Sequence, residues 1–170
     1  MPTPSPLLSI RPATPDDVPL IRELIAELAE YERLADAAVA TEDGLRAQLF
    51  GPHPAAEVLI GEVDDEAVGF ALFFHTFSTF AGKRGLYLED LFVRPPYRGA
   101  GLGKHLMAAL AQIAVQRDCA RFEWSVLDWN TPSIGFYRSI GAVGMDEWTV
   151  QRLEGAALHA LAARVINDQS

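Results

Sequence analysis

Between Val18 and Leu28 the apolar residues Val18, Ile21, Leu24, Ile25 and Leu28 recur at three- and four-residue spacing. That rhythm predicts a helix with one buried face. Thr14 is placed to cap it, with Pro15 at the first helical position and Asp16 and Asp17 in the first turn. The short apolar run before it reads as a strand. A second helix is expected around "TEDGLRAQLF", capped by Thr41. "AEVLIGEV" and "AVGFALFFHTF" read as strands joined through Asp64, Asp65 and Glu66, and "GLYLEDLFV" as a third strand ended by Pro95 and Pro96. "GKHLMAALAQIAVQR" is an amphipathic helix with Leu102, Leu106, Leu110, Ile113 and Ala114 on one side. After it come a strand "ARFEWSVLD", a short helix "TPSIGFYRSIG" capped by Thr131 and stopped by Gly141, a last strand "WTVQRLE" and a final helix "GAALHALAARVI".

Strands in series, then helix alternating with strand, define an α+β protein with a central mixed sheet. No repeat or linker divides it, so one domain over residues 9–166 is expected, behind a disordered lead at 1–8 and before a tail at 167–170. A chain of 170 residues can bury a core without disulfides or metal. The lone Cys119 fits a reducing compartment, and no signal-type or membrane-length apolar run is present, so a cytoplasmic protein is expected. The net charge of −9 argues against nucleic-acid binding and accords with a cationic small substrate. The four histidines are scattered without metal-type spacing, and no G-x-S-x-G elbow is present.

The stretch "YRGAGLGKHL" between strand and helix carries the strongest chemical signal. It is not a Walker A loop, because Arg98 stands at the first glycine position and His105 follows Lys104. It is not a dinucleotide fingerprint either, since the third glycine is missing. What remains, Arg98-x-x-Gly101-x-Gly103, still has the physics of an anion site. The first N–H groups of a helix lack intrahelical acceptors, the dipole favours negative charge, and glycines clear the approach. Arg98 and Lys104 can add charge-assisted contacts. The alternative is a tight turn that needs its glycines only sterically.

"VRPPYRGAGLGKHLM" resembles the acetyl-CoA-binding motif of the Gcn5-related N-acetyltransferases (GNAT), Gln/Arg-x-x-Gly-x-Gly/Ala. "LYLEDLFV", "DWNTPSIGFYRSIGA" and "IRPATPDDVPLIRELIAELAEYE" narrow the resemblance to the spermidine/spermine (diamine) N-acetyltransferase branch, from about residue 9 to about 163. The resemblance implies the GNAT fold, a mostly antiparallel twisted sheet flanked by helices. It implies acetyl-CoA as cosubstrate, held by Arg98, Gly99, Ala100, Gly101, Leu102, Gly103 and Lys104, with Leu91, Phe92 and Val93 on the strand and Asn130, Ser133 and Tyr137 beyond it. It implies a homodimer, no metal, and an amine acceptor touched by Tyr31, Glu32, Glu89, Asp90, Glu123, Trp124 and Ser125.

Acetyl transfer to an amine makes three demands. An alkyl ammonium titrates near 10.4, so neutralising it near pH 7 costs about 4 kcal/mol. Glu89 matches the family's base, acting through water. Side chains alternate along a strand, so Glu89 and Asp90 face opposite sides unless a bulge intervenes. A carboxylate beside an ammonium also stabilises it, so Glu89 reads as amine-binding first and as base by relay second. The thioester carbonyl needs donors, which the resemblance assigns to the backbone of Leu91–Val93. The leaving thiolate needs a proton, which it assigns to Tyr137. Taken without the resemblance, each side chain has a plainer reading: Leu91 to Val93 as core strand, Tyr137 as packing, the acidic pair as the closure of a sheet edge.

The chain departs from the animal polyamine enzymes in "HTFSTFAGKRG" and at Glu123, where histidine is more usual, which argues against spermine itself. The expectation is therefore direct acetyl transfer in a ternary complex to a primary amine of a small cation, a diamine or polyamine first, a thialysine- or ornithine-like amino acid second. The alternatives are a non-catalytic acetyl-CoA-binding module and a protein-lysine acetyltransferase.

Overall fold

The computed structural model describes residues 5–164. The chain divides into two compact units, one ending at Ser125 and one starting at Val126.

The first unit is built on a five-stranded sheet in sequence order: β1 (Leu8–Pro12), β2 (Glu57–Val63), β3 (Glu66–Ser78), β4 (Lys83–Val93) and β5 (Phe122–Trp124). β1 to β4 are antiparallel neighbours, and β5 lies parallel to β4. The mixed, mostly antiparallel sheet expected from the sequence is present. The acidic turn between β2 and β3 puts Asp64 at φ 50° and Asp65 at φ 66°, the left-handed pair of a tight hairpin that aspartate tolerates.

α1 (Val18–Tyr31) follows a 3-10 turn at Pro15–Asp17. The Thr14 N–H donates to the Asp17 carboxylate at 2.7 Å, closing the start of the helix as the sequence suggests. Arg11 ties this corner to the sheet by donating to Asp17 and Glu62, and its guanidinium holds both carboxyls below their usual range. α2 (Glu42–Phe50) begins at Thr41, whose Oγ1 accepts from the Gly44 N–H at 3.1 Å.

One face of the sheet packs on these two helices. Ile21, Leu24 and Leu28 of α1 and Leu49 of α2 meet Val58, Ile60, Phe70 and Phe92 in one buried cluster. The opposite face receives α3 (Leu102–Gln116) through buried Leu102, Leu106, Met107, Leu110 and Ala114. Two sheet glycines permit this approach: a Cβ on Gly61 would lie 3.0 Å from Leu102, and one on Gly69 would lie 2.9 Å from the Phe92 carbonyl. Ile113, expected on the buried side, is only half-buried.

The antiparallel register slips once between β3 and β4. Leu72 faces Asp90 while Phe73 faces Leu88, so Glu89 is the extra residue of a β-bulge.

The second unit contains α4 (Thr131–Ser139) and α5 (Gly155–Ala162). Two expectations are corrected here. Asn130, not Thr131, caps α4, its Oδ1 accepting from the Ser133 N–H at 3.4 Å. The segment "WTVQRLE" forms no strand; Trp148, Val150 and Leu153 are exposed instead. A strand exists only where a neighbour satisfies its backbone, and among the described residues this segment has no ladder partner. The strand expected over "ARFEWSVLD" shrinks to β5 for the same reason: its pairing with β4 stops at Leu88–Trp124. The tail at 167–170, the first four residues of the lead and the end of the last expected helix lie outside the described residues.

Candidate active site

The glycine loop leaves β4 through a 3-10 turn at Pro95–Tyr97 and enters α3 at Gly101. Gly99 and Gly101 sit at φ 90° and 93°, conformations that a side chain resists, so these two glycines are required by the backbone. Gly103 is different. It lies inside the first turn of α3 at ordinary φ, and a Cβ there would meet nothing within 4 Å. Neither strain nor packing demands glycine at that point. What its missing side chain leaves is a bare surface at a helix start whose first N–H groups have no acceptor inside the helix. A diphosphate fits such a surface, with the Gly101–Lys104 backbone as the gripping group.

Arg98 is turned back toward the strand. Its Nε donates to the Val93 carbonyl at 2.8 Å, and its guanidinium stacks 4.7 Å from the Tyr31 ring centroid and 5.5 Å from that of Phe92. The Tyr97 hydroxyl donates to Glu66 at 2.6 Å, fixing the turn to the start of β3. His105 closes the first turn of α3 onto the Gly101 carbonyl through its backbone N–H and ring Nδ1.

Upstream of the loop, β4 carries Leu91, Phe92 and Val93 in register with Ala71, Phe70 and Gly69 of β3. On the other edge of β4, pairing with β5 runs only from Leu86 to Leu88. Among the described residues, the stretch from Glu89 to Val93 has no β5 partner, so the two parallel strands part just where the bulge begins.

The bulge sets the chemistry of the two carboxylates. Glu89 is exposed, whereas Asp90 falls in register with Leu72, on the sheet face that packs against α1, and is half-buried. Burial, then the charge of Glu89, then that of Glu32 push the Asp90 carboxyl up to about 6. Burial also raises Glu32, which caps the C-terminal end of α1 beside Tyr31. Glu32, Glu89 and Asp90 therefore form one acidic group, at the end of α1 and the bulge of β4.

The β5 residues are placed at the same sheet edge. Glu123 faces Tyr87 across the parallel pair and forms an ion pair with Arg121 at 2.7 Å. The Trp124 ring packs 4.9 Å from Phe122. Ser125 Oγ and the Tyr87 hydroxyl are 2.8 Å apart. Asn130, Ser133 and Tyr137 belong to the second unit, where their spacing puts them along one side of α4, and Tyr137 touches Phe136 at 5.5 Å between ring centroids. The sequence reading missed Tyr87, Tyr97, and Glu23 and Glu27 of α1, which accept from Arg94 at the entry to the turn. Only the four-residue spacing of Glu23, Glu27 and Tyr31 could have signalled the last of these.

Among the described residues, no group of His, Cys, Asp and Glu is arranged to hold a metal, and no helix is long and apolar enough to cross a membrane.

The mixed sheet, the parting of β4 and β5 beside the bulge, and the glycine-lined start of α3 together make up the candidate site. The chain belongs to the acetyltransferase (GNAT) family, whose model matches residues 20–142, and it is an N-acetyltransferase. It is 36% identical to an L-ornithine N5-acetyltransferase of Arabidopsis thaliana, over 89% of this chain and 86% of that protein. It is 37% identical to a thialysine N-epsilon-acetyltransferase of Sus scrofa, over 91% and 97% respectively. A spermidine/spermine N(1)-acetyltransferase-like protein of Homo sapiens is 38% identical over 80% of this chain, which spans 20% of that protein. These matches accord with the diamine branch. Among solved structures, an integron cassette protein from the mobile metagenome of V. cholerae superposes with a TM-score of 0.77 at 31% identity, covering 91% of this chain and 97% of that one.

Proposed function

We propose that the protein transfers acetyl from acetyl-CoA to the terminal primary amine of a small cationic amino acid of the ornithine or thialysine kind, with short diamines as the next class. The observation that carries this is the acidic group that Glu32, at the end of α1, forms with Glu89 and Asp90 of the strand that feeds the glycine loop. Burial first, and then the charges of Glu89 and Glu32, raise the Asp90 carboxyl to about 6, so a cation entering there offsets the lost solvation and relieves repulsion already present. The relatives named for ornithine and thialysine agree with a short acceptor whose ammonium ends a flexible chain.

When bound, acetyl-CoA supplies the activated acyl group as a thioester. The chain's own residues do the rest. The backbone from Arg98 to Lys104 holds the diphosphate, with Asn130 and Ser133 assigned by family resemblance to the pantetheine arm. Glu32, Asp90 and Tyr31 hold the acceptor, with Glu123, Trp124 and Ser125 along its path. Glu89 receives the ammonium proton through water. The freed nitrogen pair forms the new N–C bond in one ternary complex while the C–S bond breaks. Backbone N–H groups of Leu91–Val93 stabilise the carbonyl oxygen as charge builds on it. Tyr137 gives its proton to the departing sulfur. A phenol titrates near 10 and a thiol near 8.5, so the hydrogen bond before transfer supplies much of the benefit.

The catalytic domain spans residues 9–166, in a reducing, cytoplasmic setting that the lone Cys119 tolerates, and the enzyme works as a homodimer. Exposed apolar residues of the second unit support the last point. An assay of CoA release with ornithine, thialysine, short diamines and spermidine tests the reading. Turnover fastest with the two amino acids is expected, and Tyr137→Phe should lower kcat about tenfold or more while acetyl-CoA still binds. Failure of every amine to release CoA would remove the activity. An unchanged rate in the variant would remove Tyr137 from it.

A further inference from the structure

Residues Arg94 and Arg98 bracket the turn Pro95–Pro96–Tyr97, and one stripe of α1 holds both. Glu23, Glu27 and Tyr31 recur every four residues, so they stand one above the other on that helix. Arg94 Nε donates to both Glu27 oxygens at 3.0 and 3.1 Å, and its Nη2 donates to Glu27 at 2.8 Å and to Glu23 at 2.7 Å. Arg98 stacks on Tyr31 one helical turn further on. Glu23 is 63% exposed and contributes little, whereas Glu27 and Arg94 are 32% and 21% exposed, and their forked contact is the stronger grip.

The bracketed turn transmits that grip. Two consecutive prolines fix their own φ angles, and the Arg98 N–H donates to the Pro95 carbonyl at 3.2 Å. The Arg94 N–H donates to the Val68 carbonyl at 2.9 Å, so the entry to the turn is also pinned to the sheet. Beyond Arg98 the chain is the reverse: Gly99 and Gly101, ahead of the first turn of α3, give it little stiffness of its own. Whatever fixes Arg98 fixes where the glycine segment starts.

We infer that Arg94 and Arg98 are positioning residues, and that the Glu23–Glu27–Tyr31 stripe of α1 sets the affinity for acetyl-CoA by holding the glycine loop in its binding shape. This rests on the proposed acetyl-CoA site. It also makes Tyr31, on the acceptor side, a determinant of coenzyme binding without touching the coenzyme. The last turn of α1 thereby serves both substrates, because Glu32 follows Tyr31 in the acidic group.

Calorimetric titration of the full chain with acetyl-CoA, in the absence of any amine, tests this. Glu27→Gln and Tyr31→Leu should each raise the Kd about two- to fivefold, the weight of one exposed stacking or forked ionic contact. Tyr31→Phe keeps the ring and should bind like the unaltered chain. The pair Glu27→Gln with Arg94→Met should weaken binding no more than Arg94→Met alone, since both remove one contact. For Glu27→Gln, steady-state assays should show a raised KM for acetyl-CoA with kcat nearly kept, a split that general loss of folded protein does not produce. Thermal melts of each variant identify any that is unfolded at assay temperature. An unchanged Kd in both Glu27→Gln and Tyr31→Leu overturns the inference, as do additive effects in the pair or a Tyr31→Phe as weak as Tyr31→Leu. If the unaltered chain binds no acetyl-CoA, the proposed function falls, and this inference falls with it. Normal binding unmoved by the variants removes this inference alone.

Discussion

Asp90 is a carboxylate whose environment works against its charge. Its carboxyl is raised from the ordinary aspartate value to about 6 by burial and by Glu89 and Glu32. Below the ordinary value, Asp90 is protonated in both folded and unfolded chains and costs nothing. As pH rises toward 6 the unfolded chain gives up this proton first, so stability falls through that window and the loss is complete above it. Asp90→Asn should therefore raise Tm at neutral pH by about 2–5 °C and change it little near pH 4, measured by scanning calorimetry. The same variant should raise the acceptor KM, since a cation's partner is gone. For the unaltered enzyme, acceptor KM should fall as pH rises through about 6. A variant that is less stable at neutral pH, with acceptor KM unmoved, would show that Asp90 is neither strained nor used. The sequence named both carboxylates and the one irregularity, a bulge, that would stop them from facing opposite sides of the strand. It could not show the bulge, because an extra residue in β4 is defined only by where β3 lies opposite it.

Larger elements were legible to the extent that their partners are near in sequence. α1, α2 and α3 follow from apolar periodicity and caps, and β2 to β4 from alternating runs joined by short turns. The shortfall came where an element depends on distant backbone: β5 keeps three residues of an expected nine, and 148–154 keeps none. Gly61 and Gly69 show the same dependence. In sequence they weaken two strands, yet in the fold they admit Leu102 of α3 to the sheet. Because the first turn of α3 is also the proposed coenzyme grip, this contact carries function as well as stability. Gly69→Ala puts a methyl 2.9 Å from the Phe92 carbonyl, where no side chain can yield. Chemical denaturation should show a loss of about 1–3 kcal/mol, with acetyl-CoA affinity lowered as Leu102 shifts. A Gly69→Ala chain of unaltered stability would mean that the Phe92 carbonyl does not crowd this position, and unaltered acetyl-CoA affinity would mean that Leu102 does not feel it. Arg98 marks the limit of reading a motif by residue type. The pattern gave its place beside the glycines but not the direction of its guanidinium, which runs back to Val93, Tyr31 and Phe92.

For the molecule as a whole, the second unit offers a surface for assembly. α5 reads Gly-Ala-Ala-Leu-His-Ala-Leu-Ala, yet none of its residues is buried, and Leu158 and Leu161 are about half exposed. The preceding segment leaves Val143, Met145, Trp148 and Val150 exposed between 63% and 83%, with strand-forming residues and no ladder. Scattered apolar residues are ordinary on a surface, but a run of this length in one small unit is characteristic of an interface. The net charge of −9 keeps copies of the chain apart at long range, so burial must supply the association and added salt should favour it by screening. A second copy of the chain is the occupant proposed, through the backbone of 148–154 and the apolar side of α5. Sedimentation equilibrium should return twice the chain mass of 18.6 kDa. Val150→Lys should shift it toward a single chain by placing a charge in the contact, whereas Val39→Lys, at an equally exposed site of the first unit, should leave it unmoved. A single-chain mass for the unaltered protein across the accessible concentration range would show that these residues face water in the working enzyme. Retained full activity in a Val150→Lys monomer would show that assembly occurs but the reaction does not need it.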